Sequence, residues 1–248
     1  MNSKIIYSDP YLAVVDKPPG MILYLYNKLT KSCTLVDDLN EKFSNLSNLH
    51  GDFRAGIVNR LDKGTSGLIL IAKTNEVHME LERCLKIHAI KKSYLAITYK
   101  CPNPVLGTIS TALAPIKHNP MKMCVLKEKN EDMLSITKYR VLKSYENKQF
   151  ALVECILVTG RRHQIRVHLH HKKTPIIGDC KYGGYYNINE RTISNPKIIP
   201  MIKNMDRHAL HSHKLEFLHP ITKKTMILKS PLEKGLMKIL KLMSADFS

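Results

Sequence analysis

Acidic side chains are in short supply in this chain: Asp and Glu number 21 against 39 Lys and Arg, leaving a formal charge of +18 over 248 residues. Solubility needs far less, and a polyanion is the partner such an excess suits, because each cation that neutralises a phosphate releases counterions. A Cys-x-x-Cys pair is also missing. The six cysteines (Cys33, Cys84, Cys101, Cys124, Cys155, Cys180) are widely spaced, which excludes a zinc ribbon and a small disulfide scaffold and predicts reduced core thiols. Long apolar runs are absent too. The start, Met1 to Tyr7, lacks a signal-peptide core, and no run approaches a membrane span, so a reducing, cytoplasmic compartment is expected. Nor is there a repeat, a low-complexity tract or a Gly/Ser- or Pro-rich linker. With 44% hydrophobic residues the chain can fill a core, and a single domain spanning 1–248 is expected.

Strands and helices alternate along the chain. Tyr11 to Asp16 reads as a strand. Thr34 to Phe43 reads as a helix capped by Thr34, since Leu35, Leu39 and Phe43 recur at intervals of four. Residues 27–32 and 44–52 are polar and read as loops. From Glu76 to His88, the residues Val77, Leu81, Cys84, Leu85 and His88 form one face of an amphipathic helix. Tyr94 opens a strand to Tyr99. Lys138–Tyr145 and Gln149–Thr159 read as a strand pair joined by the turn residues Glu146, Asn147 and Lys148. His163–Lys172 reads as a short basic helix. Lys117–Asn130 lacks periodicity and reads as a mobile loop able to touch a polyanion. Asn187–Asp206 reads as an insertion in which Pro196 and Pro200 interrupt any helix.

One segment concentrates chemistry. In Gly56-Ile57-Val58-Asn59-Arg60-Leu61-Asp62-Lys63-Gly64-Thr65-Ser66-Gly67, followed by the apolar run Leu68–Ala72, a carboxylate sits in a turn that enters a buried strand. Taken locally, Asp62 is either a turn aspartate bonding its own backbone or a working carboxylate at a strand edge. Gly64–Gly67 lacks the Lys-Ser/Thr of a phosphate-binding loop. The twelve histidines include His168, His170, His171 and His208, His211, His213, but neither cluster has ligand spacing with a nearby Glu, so no metal is expected.

The wording of the segment resembles the catalytic motif of RNA pseudouridine synthases of the RluA type, His-Arg-Leu-Asp followed by two residues and Thr-Ser-Gly-Leu, with Asn59 in place of the His. Further resemblances follow in the family's order: Ile6–Asp9 with Val14–Gly20, Ile90–Ala96, Gly160–Leu169 with Pro175–Asp179 and Tyr182-Gly183, then Arg207–His213 with Leu215–Pro220. Together they cover residues 4 to about 235. The resemblance implies an α+β fold, a mixed, mainly antiparallel sheet folded around a central RNA-binding cleft with flanking helices. Many relatives carry an N-terminal S4 module, which is not expected here because the first strand begins close to Met1.

The resemblance also implies roles. The family's reaction breaks the glycosidic bond of a uridine, turns the uracil and rejoins it through carbon 5, with no cofactor. Asp62 would be the nucleophile or base, Tyr94 a platform for the flipped uracil, and Arg166 the guanidinium that keeps a buried carboxylate charged. Local readings remain open beside these: Tyr94 as strand packing, Arg166 as a phosphate contact or surface helix charge, Arg60 as a salt bridge. Arg60, Lys17, Lys63, Lys92, Arg161, Arg162, Lys172, Lys173 and Lys181 are candidate contacts to the RNA backbone. A monomer acting on structured ribosomal or transfer RNA is expected, with a catalytically weakened or silent RNA-binding relative as the alternative. Asn59 cannot change charge as His can, so this position is read as support for the Asp62 loop.

Overall fold

A computed structural model describes residues 2–25, 33–128, 130–184 and 188–244. In chain order its elements are β1 (Lys4–Ser8), β2 (Leu12–Lys17), α1 (Leu35–Lys42), β3 (Ser66–Ala72), α2 (Asn75–Lys86), β4 (Lys91–Tyr99), β5 (Leu106–Ile116), β6 (Asn119–Val125), β7 (Leu134–Tyr145), β8 (Phe150–Leu157), α3 (Gln164–His171), α4 (Ile198–Lys203), β9 (Leu210–Leu218), β10 (Thr225–Lys229) and α5 (Lys234–Ser244). They fall into two compact units, Met1–Lys92 with Ser212–Pro231, and Ser93–His211 with Leu232–Ser248. The class is α+β, and the registers followed below are antiparallel. No helix among the described residues is long and apolar enough to cross a membrane.

In the first unit β3 is the spine. All seven of its residues are buried, as its apolar run predicts, and it pairs antiparallel with β2, which pairs with β1. β9 lies on its other side, and β10 pairs antiparallel with β9. Thr74 caps α2 by accepting the Val77 N–H, and the helix lays Val77 and Leu81 against Leu68, Leu70, Leu215 and Phe217. Truncating a side chain such as Leu81 there would cost about 2–5 kcal/mol. The helix stops at Lys86, so His88 is not on its apolar face but exposed in a left-handed conformation. α1 begins at the expected cap: Thr34 and Asp37 form a reciprocal capping box, and Leu35 and Leu39 are buried. The loop expected over 27–32 lies outside the described residues, whereas 44–52 is irregular as read.

The second unit orders its strands β4-β8-β7-β5-β6. β7 and β8 form the expected hairpin, and its three turn residues, Glu146, Asn147 and Lys148, all have positive φ. Two expectations are corrected. The 117–130 segment is not a mobile loop: β6 pairs antiparallel with the end of β5, and Met123 is buried with Leu113, Val167 and Tyr182. Its register comes from β5, a partner that local periodicity does not reveal. Likewise Pro200 does not interrupt a helix but occupies the first turn of α4, where a missing N–H breaks no helical bond. Ile198, Ile199 and Ile202 of α4 are buried. All six cysteines are free, but only Cys155 is fully buried, and Cys33 and Cys180 are exposed rather than core thiols.

Candidate active site

The first unit presents Asp62. Gly56 and Val58 hydrogen-bond to Ala72 and Leu70 on β3, so the segment runs beside the strand until it turns at Asp62. The Asp62 carbonyl accepts from Thr65 N–H at 3.0 Å, closing that turn, and the side chain is half-buried. Gly67, the second residue of the strand, has φ +109°, and a Cβ there would lie 2.3 Å from the Ser212 carbonyl oxygen on β9. Only glycine fits this position.

Two side chains tie the loop down. Asn59 Oδ1 accepts the Leu70 N–H at 2.7 Å, an amide holding the main chain in the way expected of a support residue. Lys17 is fully buried, and its Nζ donates to the carbonyls of Pro18 (2.9 Å), Met21 (3.0 Å) and Lys63 (3.2 Å). Gly20 N–H also reaches the Lys63 carbonyl. An ammonium so enclosed has no surface for a phosphate, so the reading of Lys17 as an RNA-backbone contact is corrected: it anchors the residue after Asp62. Of the other cations in this unit, Arg60 and Lys63 are exposed and Lys92 is half-buried, with burial pulling its pKa down.

The second unit presents Tyr94 and Arg166. Tyr94 is buried on β4, but it does not open the strand as expected, since β4 begins at Lys91. Arg166 lies on α3, which is no surface helix, for Gln164 to Leu169 are all buried. Its fork grips Asp179, Nε to Oδ2 at 2.7 Å and Nη2 to Oδ1 at 2.8 Å, and its guanidinium covers the Tyr182 ring at 5.1 Å. Asp179 also accepts the backbone N–H groups of Lys181 and Tyr182. Tyr182 Oη in turn receives Met123 N–H at 2.8 Å and meets His163 Nδ1 at 2.8 Å.

Gln164 fixes the start of α3 with four contacts: its Oε1 accepts from Thr159 Oγ1 and Arg161 N–H, and its Nε2 donates to the Ile136 carbonyl and Thr137 Oγ1. His168, bonded between Thr137 and Thr111, has its pKa lowered to about 4 by burial and, second, by His171. Asp179 and Tyr182 therefore frame Arg166, and Gln164 fixes the start of its helix, which spacing alone did not reveal. The signal available was that all three stand within the segments whose wording follows the family's. Arg161 and Lys181 are exposed and Arg162 half-buried. The guanidinium of Arg161 also bonds the Leu134 and Asp132 carbonyls, and that of Arg162 the Pro120 carbonyl.

The first unit thus carries a half-buried carboxylate on an anchored loop, and the second a buried tyrosine within a strand and a clamped arginine. Comparison with known proteins defines the class. Residues 11–171 match the family described as RNA pseudouridylate synthase. A ribosomal large subunit pseudouridine synthase D of Xanthomonas campestris pv. campestris is 31% identical over 245 residues, 98% of this chain and 70% of that protein. Its namesake in Nitrosomonas europaea is 35% identical over 232 residues, 92% of this chain and 62% of that one. The solved structure of human RNA pseudouridylate synthase domain containing 4 shares the fold, with a TM-score of 0.71 at 22% identity over 97% of this chain and 92% of that one. The chain belongs to the RNA pseudouridylate synthase family, whose members are isomerases of uridine in RNA.

Proposed function

We propose that this chain isomerises a uridine in structured RNA, ribosomal RNA first and transfer RNA second, with Asp62 as the nucleophile or general base. The observation that supports it most is the anchoring of Asp62: a half-buried carboxylate on a loop held by Lys17 and Asn59 against an entirely buried strand. Positions fixed to this degree suit a group that must meet a sugar or base atom at bonding distance. Tyr94 offers an aromatic face on which a flipped uracil can stack while its glycosidic bond is broken. Arg166 supplies a permanent positive charge on a rigid helix. Arg60, Lys63, Lys92, Arg161, Arg162 and Lys181, with Lys172 and Lys173, are the proposed backbone contacts, which position RNA without reading it. The relatives' names support the ribosomal preference. A monomer in the cytoplasm, needing no cofactor for turnover, completes the reading.

Because the new bond forms at carbon 5, the hydrogen there must leave, and transcripts tritiated at uridine carbon 5 report each turnover. Purified protein is expected to release tritium from ribosomal RNA fragments in the presence of a chelator. Asp62→Asn should abolish release while RNA affinity changes by less than about tenfold, since phosphate contacts dominate binding. Comparable turnover by the variant would remove Asp62 from the mechanism. Binding without turnover on every ribosomal and transfer RNA would make the protein a silent relative of the family.

A further inference from the structure

One cluster in the first unit is used neither by the fold nor by the reaction. His78 and Glu82 stand one turn apart on α2, and His50 approaches them from the loop between α1 and β3. Glu82 Oε1 is 2.7 Å from His50 Nε2 and 3.9 Å from His78 Nε2, and all three donor atoms lie within 4.8 Å of one another. The two imidazoles meet edge to face, 5.2 Å apart.

Hydrogen bonds decide which nitrogen of His78 carries the proton. Asn48 N–H donates to Asn75 Oδ1 at 3.1 Å, and Asn75 Nδ2 donates to Asn48 Oδ1, so the Asn75 amide has one orientation. Ser47 Oγ lies 2.7 Å from that same Oδ1, an acceptor, and must spend its only proton there. Ser47 therefore accepts at its other contacts, from Leu49 N–H and from His78 Nδ1 at 2.8 Å. That leaves a lone pair on Nε2, fully buried, with no hydrogen-bond partner among the described residues, 3.9 Å from a Glu82 carboxylate oxygen. A lone pair, a carboxylate oxygen and a second imidazole nitrogen gathered at these separations can share one cation.

We propose that His50, His78 and Glu82 bind one divalent transition-metal ion of the zinc type, with water as the fourth ligand. Tetrahedral bonds of about 2.0–2.2 Å place ligand atoms roughly 3.3–3.6 Å apart, within the present spread of separations. The Ser47 hydroxyl is the outer partner that fixes a metal-bound imidazole's tautomer. Two imidazoles in three ligands disfavour magnesium and calcium. His50 and Glu82 are half-exposed, which gives the ion a path in. Arg54, held against the rings of Tyr24 and Phe53, is the nearby positive charge that opposes it. The ion would clip the 44–57 loop to α2, just upstream of the segment that delivers Asp62. It is a brace for that loop and takes no part in the isomerisation.

The test uses the whole chain, stripped with a chelator, titrated calorimetrically with zinc and followed by absorption with cobalt. One equivalent of each should bind, magnesium should not, and cobalt should show the intense visible bands of four-coordinate nitrogen and oxygen ligation. His50→Ala and Glu82→Gln, both at half-exposed side chains that the fold can spare, should each weaken zinc at least about 100-fold, while His118→Ala, at an exposed loop position, should not. Zinc should also raise the thermal midpoint of the wild type but of neither ligand variant. Failure of the wild type to bind, affinity unchanged in both variants, or a thiolate-to-cobalt band would each overturn the site. Loss of isomerase activity in all forms would bear on the reading of Asp62 and leave the metal result independent of it.

Discussion

Arg166 is held by Asp179 through two parallel bonds, of 2.7 and 2.8 Å, with both side chains almost wholly removed from solvent. An ion pair buried to this degree contributes little against a well-packed apolar pair, but losing one partner strands the other charge.

Asp179→Asn should therefore destabilise the protein by roughly 3–5 kcal/mol in urea unfolding. Arg166→Lys retains the charge but cannot reproduce the fork. It should lose most isomerase activity, with a smaller loss of stability. Near-wild-type turnover in Arg166→Lys would reduce Arg166 to a structural cation.

Lys17 gives a second test, because the two roles available to it move different parameters. A buried ammonium bonded to the Pro18, Met21 and Lys63 carbonyls should, when replaced in Lys17→Met, lower stability by about 2–4 kcal/mol. Turnover should fall through kcat, while KM for RNA and the salt dependence of binding stay as they were. A shallower salt slope in Lys17→Met would mean that it does neutralise a phosphate after all.

The contrast between these residues shows what the sequence made legible. α1 and β3 were readable because their signals are local: Thr34, Asp37 and a four-residue spacing for one, an unbroken apolar run for the other. β6 was not, since its pairing depends on β5 and its own composition is that of a loop. α4 was hidden because a proline in a first turn looks, in sequence, like one that breaks a helix. For the proposed site, the wording of the segments singled out Asp62, Tyr94 and Arg166. It could not separate a lysine that meets RNA from one that meets three carbonyls, for burial of a charged side chain depends on where the backbone folds back. Asp179 was similarly out of reach as a partner, since a separation of 13 positions, not a helical period, brings it to Arg166.

Asn59 stands where the family's wording has histidine, and its Oδ1 accepts the Leu70 N–H. An imidazole nitrogen can accept that bond, so Asn59→His should retain activity. Asn59→Leu removes the acceptor and leaves a buried N–H unpaired, which should cost about 1–3 kcal/mol and reduce kcat. Tritium release from one RNA substrate compares the variants directly. Activity found in Asn59→His but absent from the wild type would show that the histidine is an obligatory acid or base.

His168 makes the second unit sensitive to acid. In the unfolded chain this imidazole takes up its proton near pH 6.5, but buried between Thr111 and Thr137 it stays neutral until about pH 4. Between those values the unfolded state binds the proton more strongly, so His168 costs nothing above pH 6.5 and lowers stability as pH falls toward 4, by up to about 3 kcal/mol. His170, whose pKa burial also lowers, adds to the same trend. His168→Gln keeps a donor and an acceptor at the two threonines while removing the titration. Urea unfolding across this range should thus show a shallower loss of stability in the variant, the remaining slope belonging to the other histidines. Parallel curves for variant and wild type would mean that His168 is protonated in the folded protein at ordinary pH, and that the Thr111 and Thr137 contacts hold an imidazolium instead.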